Sequence, residues 1–246
     1  MSALSEAALQ QQNPVSFFRS GACLRSRSVS TRVLTGVVQV PAPPARLVAD
    51  WQRDISGQLA LEAGDVESLS LPRSRSRWPD YRLCVQALSD WAEAFGLPPL
   101  LGNREVALMA CRGARYHHDG LQYGANAFCN LFLSDEQGLD LHFPAIDLRI
   151  PLVRGTAVVF DTCQPHGVVR RGRSGFDAGD FPAESACDLV FLTWELPLED
   201  PRVHSQLGIR LDVSADAGLL GAEPQVRIHG LRSRVCPASG QWQADE

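Results

Sequence analysis

Apolar and polar positions along the chain fall into three regimes. Residues 1–32 are polar, rich in Ser and Arg and without periodicity, which predicts a loose arm. Residues 32–40 (RVLTGVVQV) predict a strand that stops at PAPP. Between 45 and 62, Leu47, Val48, Trp51, Ile55 and Leu59 recur at helical spacing. Residues 64–78 predict a loop. A second helical pattern then runs through Leu83, Val85, Leu88, Trp91 and Phe95 and stops at Gly96 and Pro98.

From residue 104 the pattern changes to short apolar runs separated by turn residues. These predict strands at 105–111 (EVALMAC), 125–133 (ANAFCNLFL), 139–143, 148–152, 156–160 (TAVVF), 166–170 and 188–196 (DLVFLTWEL), with two more at 207–213 and 225–231. The stretch 171–186 carries Gly, Ser, Asp and Pro and predicts a mobile loop. Such a series suggests an all-β sandwich or barrel. The chain thus divides into an arm (1–32), a strand and helices that pack on the core (33–103), a β core (104–197) and an extension of added strands (198–246).

Composition changes this picture little. Hydrophobic residues make up 45% and charged residues 21% of 246 residues, enough for a sizeable core. A net charge of −5 argues against generic nucleic-acid binding. Two basic runs, Arg19/Arg25/Arg27/Arg32 and Arg73/Arg75/Arg77/Arg82, lie among serines and read as solvated loops. Seven scattered cysteines without a CxxC predict reduced thiols and, with no leader-like start and no long apolar run, a cytoplasmic protein without a membrane span. All 23 cationic side chains are arginine. No lysine can form a Schiff base or complete a phosphate-binding P-loop, and arginine does not lose its proton.

The candidate chemistry lies in Tyr116-His117-His118-Asp119-Gly120. On an extended segment, His117 and Asp119 would point to one face and His118 away from it. His166, which follows the strand TAVVF and its turn, supplies a third ligand of the right type. Two histidines and one carboxylate with open positions suit non-haem Fe(II), and zinc or another divalent ion fits the same donors. Asp161 and Gln164 precede His166 and are candidates to orient it by hydrogen bonds. Asn130 and Tyr123 are candidate pocket residues. Cys163 sits in the same turn and reads as a buried thiol. His142, His204 and His229 lack matching partners and read as structural.

These residues carry a resemblance. EVALMACRGARYHHD, NLFLSDEQGLDLHFP, RIPLVRGTAVVFD, QPHGV and LVFLTWEL run in the order of landmarks in the Fe(II)/2-oxoglutarate-dependent dioxygenases, and the chain resembles their prolyl-hydroxylase-like branch over about 105–196. The resemblance implies a mainly β fold with flanking helices and a double-stranded β-helix core, the cupin-like jelly roll. It implies Fe(II) on His117, Asp119 and His166, with 2-oxoglutarate and dioxygen as co-substrates and no catalytic side chain beyond the ligands. The reaction implied is hydroxylation of a C–H bond in a small-molecule or peptidyl substrate. A non-catalytic binding protein, or the same triad with another metal or without 2-oxoglutarate, are the competing readings.

One landmark departs. The family usually places a Lys or Arg about ten residues beyond the distal histidine, early on the closing strand, to hold the far carboxylate of 2-oxoglutarate. Here that place holds Cys187 and Asp188. The replacement has to be an arginine. Alternation from His166 puts Arg170 on the inward face, and Arg173 and Arg149 are the further candidates.

Overall fold

The computed structural model describes residues 13–100, 106–182, 188–215 and 223–245. Its elements, in chain order, begin with strands β1 (Val15–Ser20), β2 (Cys23–Ser28) and β3 (Val33–Val37). Helix α1 (Ala45–Arg53) continues into a π-helical turn at Asp54–Leu59. Then come β4 (Val66–Leu69), α2 (Leu71–Arg77), α3 (Tyr81–Ala94), β5 (Val106–Arg112), β6 (Ala114–His117) and the short α4 (Gly120–Tyr123). Strands β7 (Asn126–Phe132), β8 (Leu139–Phe143), β9 (Leu148–Pro151), β10 (Thr156–Asp161), β11 (His166–Arg170) and β12 (Asp188–Pro197) follow. The last elements are α5 (Pro201–Leu207), β13 (Gln225–Ile228), β14 (Leu231–Val235) and β15 (Trp242–Ala244).

Strand order identifies the core. A six-stranded sheet runs β3-β10-β7-β12-β5-β4 and a four-stranded sheet runs β6-β11-β8-β9. Along the chain, β5, β7, β10 and β12 join the first sheet and β6, β8, β9 and β11 the second. Eight antiparallel strands shared in this way between two sheets form a jelly roll, a double-stranded β-helix. The larger sheet is apolar on both faces because both are covered. Its outer face (Leu108, Cys129, Leu131, Val159, Leu192, Trp194) packs with Leu47, Trp51, Ile55, Trp78 and Leu88 of the helical layer. Its inner face (Phe132, Val158, Phe160, Phe191) meets Leu139, Leu141, Phe143, Ile150 and Val168 of the smaller sheet.

Several expectations are corrected. The described part of the predicted arm is ordered: β1 and β2 form a hairpin, and β1 pairs antiparallel with β13 to give a third sheet, β15-β14-β13-β1-β2. Polar side chains hid these strands, because their partners come from the far end of the chain. The predicted loop 64–78 contains β4 and α2. Helix α3 forms where periodicity places it, yet it buries Tyr81, Cys84, Leu88 and Ala92 and leaves Leu83 exposed. The strand predicted at 207–213 is instead the end of α5 and a coil that touches β2 through one Arg27–Leu211 bridge. Pro201 and the N-cap Asp200, whose carboxylate accepts from the Arg202 amide, start that helix. The loop at 171–186 is anchored rather than loose over its described part, with Phe181 buried at the barrel end; residues 183–187 lie outside the described residues.

Among the described residues no helix is long and apolar enough to cross a membrane. Leu88 is fully buried between the helical layer and the larger sheet. Leu88→Ala is expected to cost about 2–5 kcal/mol through lost burial and the cavity left behind. Equilibrium urea unfolding measures this as a lower midpoint with an unchanged slope.

Candidate metal centre

His117 ends β6 and His166 begins β11, and these two residues face each other in the register of the smaller sheet. Their rings lie 4.5 Å apart. Asp119 is not on an extended segment: it stands at the N-terminus of α4 with φ −98° and ψ 6°. The turn, not strand alternation, swings its carboxylate to 3.6 Å from Nε2 of His117 and 3.4 Å from Nε2 of His166. One ligand atom from each of the three residues lies within 4.8 Å of the others, and this is the single group of metal-ligand type among the described residues.

Both histidines are presented alike. Nδ1 of His117 pairs with the Arg115 carbonyl at 2.7 Å, and Nδ1 of His166 with the Gln164 carbonyl at 2.9 Å. A carbonyl only accepts, so each Nδ1 carries the proton and each Nε2 offers its lone pair to the shared point. Burial, with His117 next to it, pushes the His166 pKa down to about 4, so the ring is neutral at pH 7, the form that binds metal. His118 points the other way, accepts from the Gly120 amide at 3.1 Å and packs its ring 5.2 Å from Trp242.

The turn 161–165 is set by an ion pair that the sequence does not advertise. Arg27 and Asp161 are both fully buried and joined by two bonds of 2.8 Å. Nε of Arg27 donates to the Gly124 carbonyl at 2.6 Å, just past α4. Asp161 also accepts from the Ser30 amide (2.7 Å) and the Cys163 amide (2.8 Å). One guanidinium therefore ties the loop carrying Asp119 to the turn carrying His166. Burial alone would lower the Arg27 pKa, but Asp161 raises it, so the charge stays fixed. The two loops touch closely: the Asp119 amide donates to the Thr162 carbonyl at 2.7 Å. A Cβ on Gly120 would collide with the Cys163 sulfur, and one on Gly124 would meet the Gly120 carbonyl at 2.5 Å.

A cavity of 540 Å³ opens from the triad into the barrel. Tyr123 and Asn130, the two candidate pocket residues, are among those that line it. Gln164 bears on His166 through its backbone carbonyl, and Asp161 acts through Arg27 instead of touching the imidazole. None of the three candidate arginines lines the cavity. Arg170 donates to the Gln137 and Asp180 carbonyls (3.1 and 3.0 Å), Arg173 pairs with Asp180, and Arg149 stands opposite His142 on the outer face of β9. Asp188 also faces outward, held by Arg112 at 2.8 and 3.1 Å, so it does not repel a ligand inside. His142 binds Tyr116, His204 the Leu198 carbonyl, and His229 makes the β13–β14 turn at φ 53°. Arg27 is the site residue that sequence reading missed; its Ser-Arg-Ser setting looks solvent-facing, and the one sign of burial was Asp161 awaiting a partner.

No family model matches the chain, and no curated protein matches it. Solved structures do. A prolyl-4-hydroxylase of Pseudomonas putida is 18% identical over 67% of this chain and 92% of its own, with a TM-score of 0.40. The viral collagen prolyl hydroxylase of Paramecium bursaria Chlorella virus-1 is 9% identical over 67% and 90%, at 0.39. The non-haem alpha-ketoglutarate-dependent epimerase SnoN of nogalamycin biosynthesis is 14% identical over 78% and 89%, also at 0.39. The chain is structurally similar to prolyl hydroxylases and related enzymes, and it carries an HxD…H triad. At such identities and scores, the fold assignment rests on strand order and the site on the geometry of the triad.

Arg27→Met leaves Asp161 buried without its counter-charge and is expected to destabilise the protein by about 3–5 kcal/mol. Adding Asp161→Asn removes that charge and keeps an acceptor for one of the two amides, which use different carboxylate oxygens, so it is expected to recover part of the loss. Urea unfolding of the wild type, the two single variants Arg27→Met and Asp161→Asn, and the double variant measures the coupling.

Proposed function

We propose that this protein is a mononuclear non-haem Fe(II) oxygenase that hydroxylates a C–H bond of a small molecule. The observation that carries the reading is the convergence of His117, Asp119 and His166 at the mouth of a deep cavity, with both imidazoles fixed in the metal-binding tautomer. Two neutral nitrogens and one carboxylate on one side suit Fe(II) and leave the cavity side open. Fe(II) bound there would supply one chemistry, the activation of dioxygen beside the substrate. The chain's own residues do the rest. Backbone carbonyls hold the imidazoles, the Arg27–Asp161 pair fixes the distance between the two ligand loops, and Phe128, Phe160 and Phe191 keep water from the cavity wall. A cavity of 540 Å³ has the volume of a small-molecule site, which favours a metabolite over a peptide strand.

The resemblance implies 2-oxoglutarate as co-substrate, and the donor set and the cavity answer that expectation differently. The triad fits a divalent metal. The cavity wall offers no cation among its described residues for a distal carboxylate. This favours the second reading from the sequence, the same triad working without it, with another organic acid supplying the two electrons that reduce the second oxygen atom of dioxygen.

Anaerobic loading with Fe(II) and metal analysis of the desalted protein are expected to give one iron per chain. His166→Ala is expected to lose at least 90% of that iron while keeping the wild-type circular dichroism spectrum. Full iron retention in the variant, or one tightly held zinc in protein prepared without added metal, would sink the iron assignment.

A further inference from the structure

The inner wall of the cavity can be read layer by layer from strand register. Phe128 and Glu195 face each other at the metal end. One pair deeper, about 7 Å along the strands, Asn130 faces Thr193; one pair deeper again, Phe132 faces Phe191. Met109 pairs with Phe191 from the other side. Alternation continues the inward face of β12 to Leu189, which is buried in the barrel core and stands where a cation early on the closing strand would have to be. The far end of the cavity is therefore hydrocarbon.

Two polar atoms break that wall. Oδ1 of Asn130 and Oγ1 of Thr193 are buried and have no hydrogen-bond partner among the described residues. They sit side by side in the second layer and both border the cavity. Unpaired polar atoms in such a place cost free energy unless a ligand or water meets them. Both are uncharged, so neither supplies the counter-ion that a buried carboxylate needs.

Charge balance points the same way. A divalent metal on two neutral imidazoles and one carboxylate keeps one positive charge. A chelating monoanion cancels it. A dianion would leave its second carboxylate in the apolar end, with no cation among the described residues that line the cavity. Burying an unpaired carboxylate is strongly unfavourable.

We infer that the organic ligand of this metal centre is a 2-oxo acid with an uncharged, mainly hydrocarbon side chain, and that the cavity selects it over 2-oxoglutarate. The 2-oxo acid head chelates the metal, the Asn130–Thr193 pair lies beside the middle of the ligand, where a water or a neutral polar substituent meets it, and Met109, Phe132 and Phe191 enclose the tail. This inference rests on the metal reading above, and its test separates the two.

Anaerobic Fe(II)-loaded protein is titrated with 4-methyl-2-oxopentanoate and, separately, with 2-oxoglutarate. Binding is followed by the weak visible charge-transfer band of an Fe(II)–2-oxo acid chelate and by calorimetry. The hydrocarbon acid is expected to half-saturate at a concentration at least tenfold lower. Met109→Arg, which puts a guanidinium at the far end on a stem of similar length, is expected to improve 2-oxoglutarate binding at least tenfold and reverse the order. Iron binding with 2-oxoglutarate as the tighter ligand, and loss of that binding in Arg170→Met, would overturn the inference and leave the metal reading intact. Iron binding with no response to either acid would overturn it too. Failure to bind iron at all would remove the metal reading and the inference together.

Discussion

A guanidinium buried to the last atom needs a reason, because stripping water from a fixed charge is costly in a protein interior. Arg27 has one in the geometry around Asp161. The pair closes two parallel bonds, and the remaining valences of both groups go to the Gly124 carbonyl and to the Ser30 and Cys163 amides. The contact does not act on the metal ligands directly. It fixes where the turn after β10 sits against the loop after β6, which carries Asp119 and leads on from His117, while the turn leads into His166. The pairing of β6 with β11 sets the two histidines side by side; this contact holds the loop of the third ligand against them.

That dependence explains an otherwise odd architecture. The jelly roll has its two sheets and its helical layer without the hairpin β1–β2, and the apolar side chains the hairpin buries, Phe17, Phe18 and Leu24, lie outside the two barrel clusters. It is kept in place by β13 on one edge and by Arg25, which pairs with Asp212 and Glu199. The third sheet thus works as a bracket on the metal end of the barrel. Its C-terminal part also covers His118 through Trp242. The two histidines of the HH pair consequently have different surroundings: one looks into the cavity, the other into a protein interface.

The sequence is legible where local pattern and tertiary demand agree. Strands β7, β8, β10, β11 and β12 bury residues on both faces and read as short continuous apolar runs with turn residues between them, so their positions were evident. The ligand triad was legible because its residue types are rare in combination. Three things were not. Strands β1, β2 and β14 are polar on at least one face, and the sheet they share is joined by the β1–β13 pairing across some 200 residues. The placement of Asp119 comes from a helix N-terminus that HHDG does not announce. The arginine expected to hold a distal carboxylate was sought by alternation, which gives a face but not a destination: Arg170 lies on the inward face of β11 and spends its guanidinium on carbonyls at the barrel's far end.

The pairing of β1 with β13 carries a consequence for the order of assembly. Val15 stands opposite Arg227 and Phe17 opposite Gln225, so the strand beside Arg27 waits for the last tenth of the chain before its open edge is filled. Contacts of such long sequence separation form late, since the intervening chain must be ordered before they are rewarded. The paired strands of the barrel lie closer in sequence than β1 and β13, so the barrel can condense earlier. During synthesis the ligand loops therefore exist as a folded scaffold before they exist as a site, and the centre acquires its final spacing only when the two ends of the chain have met.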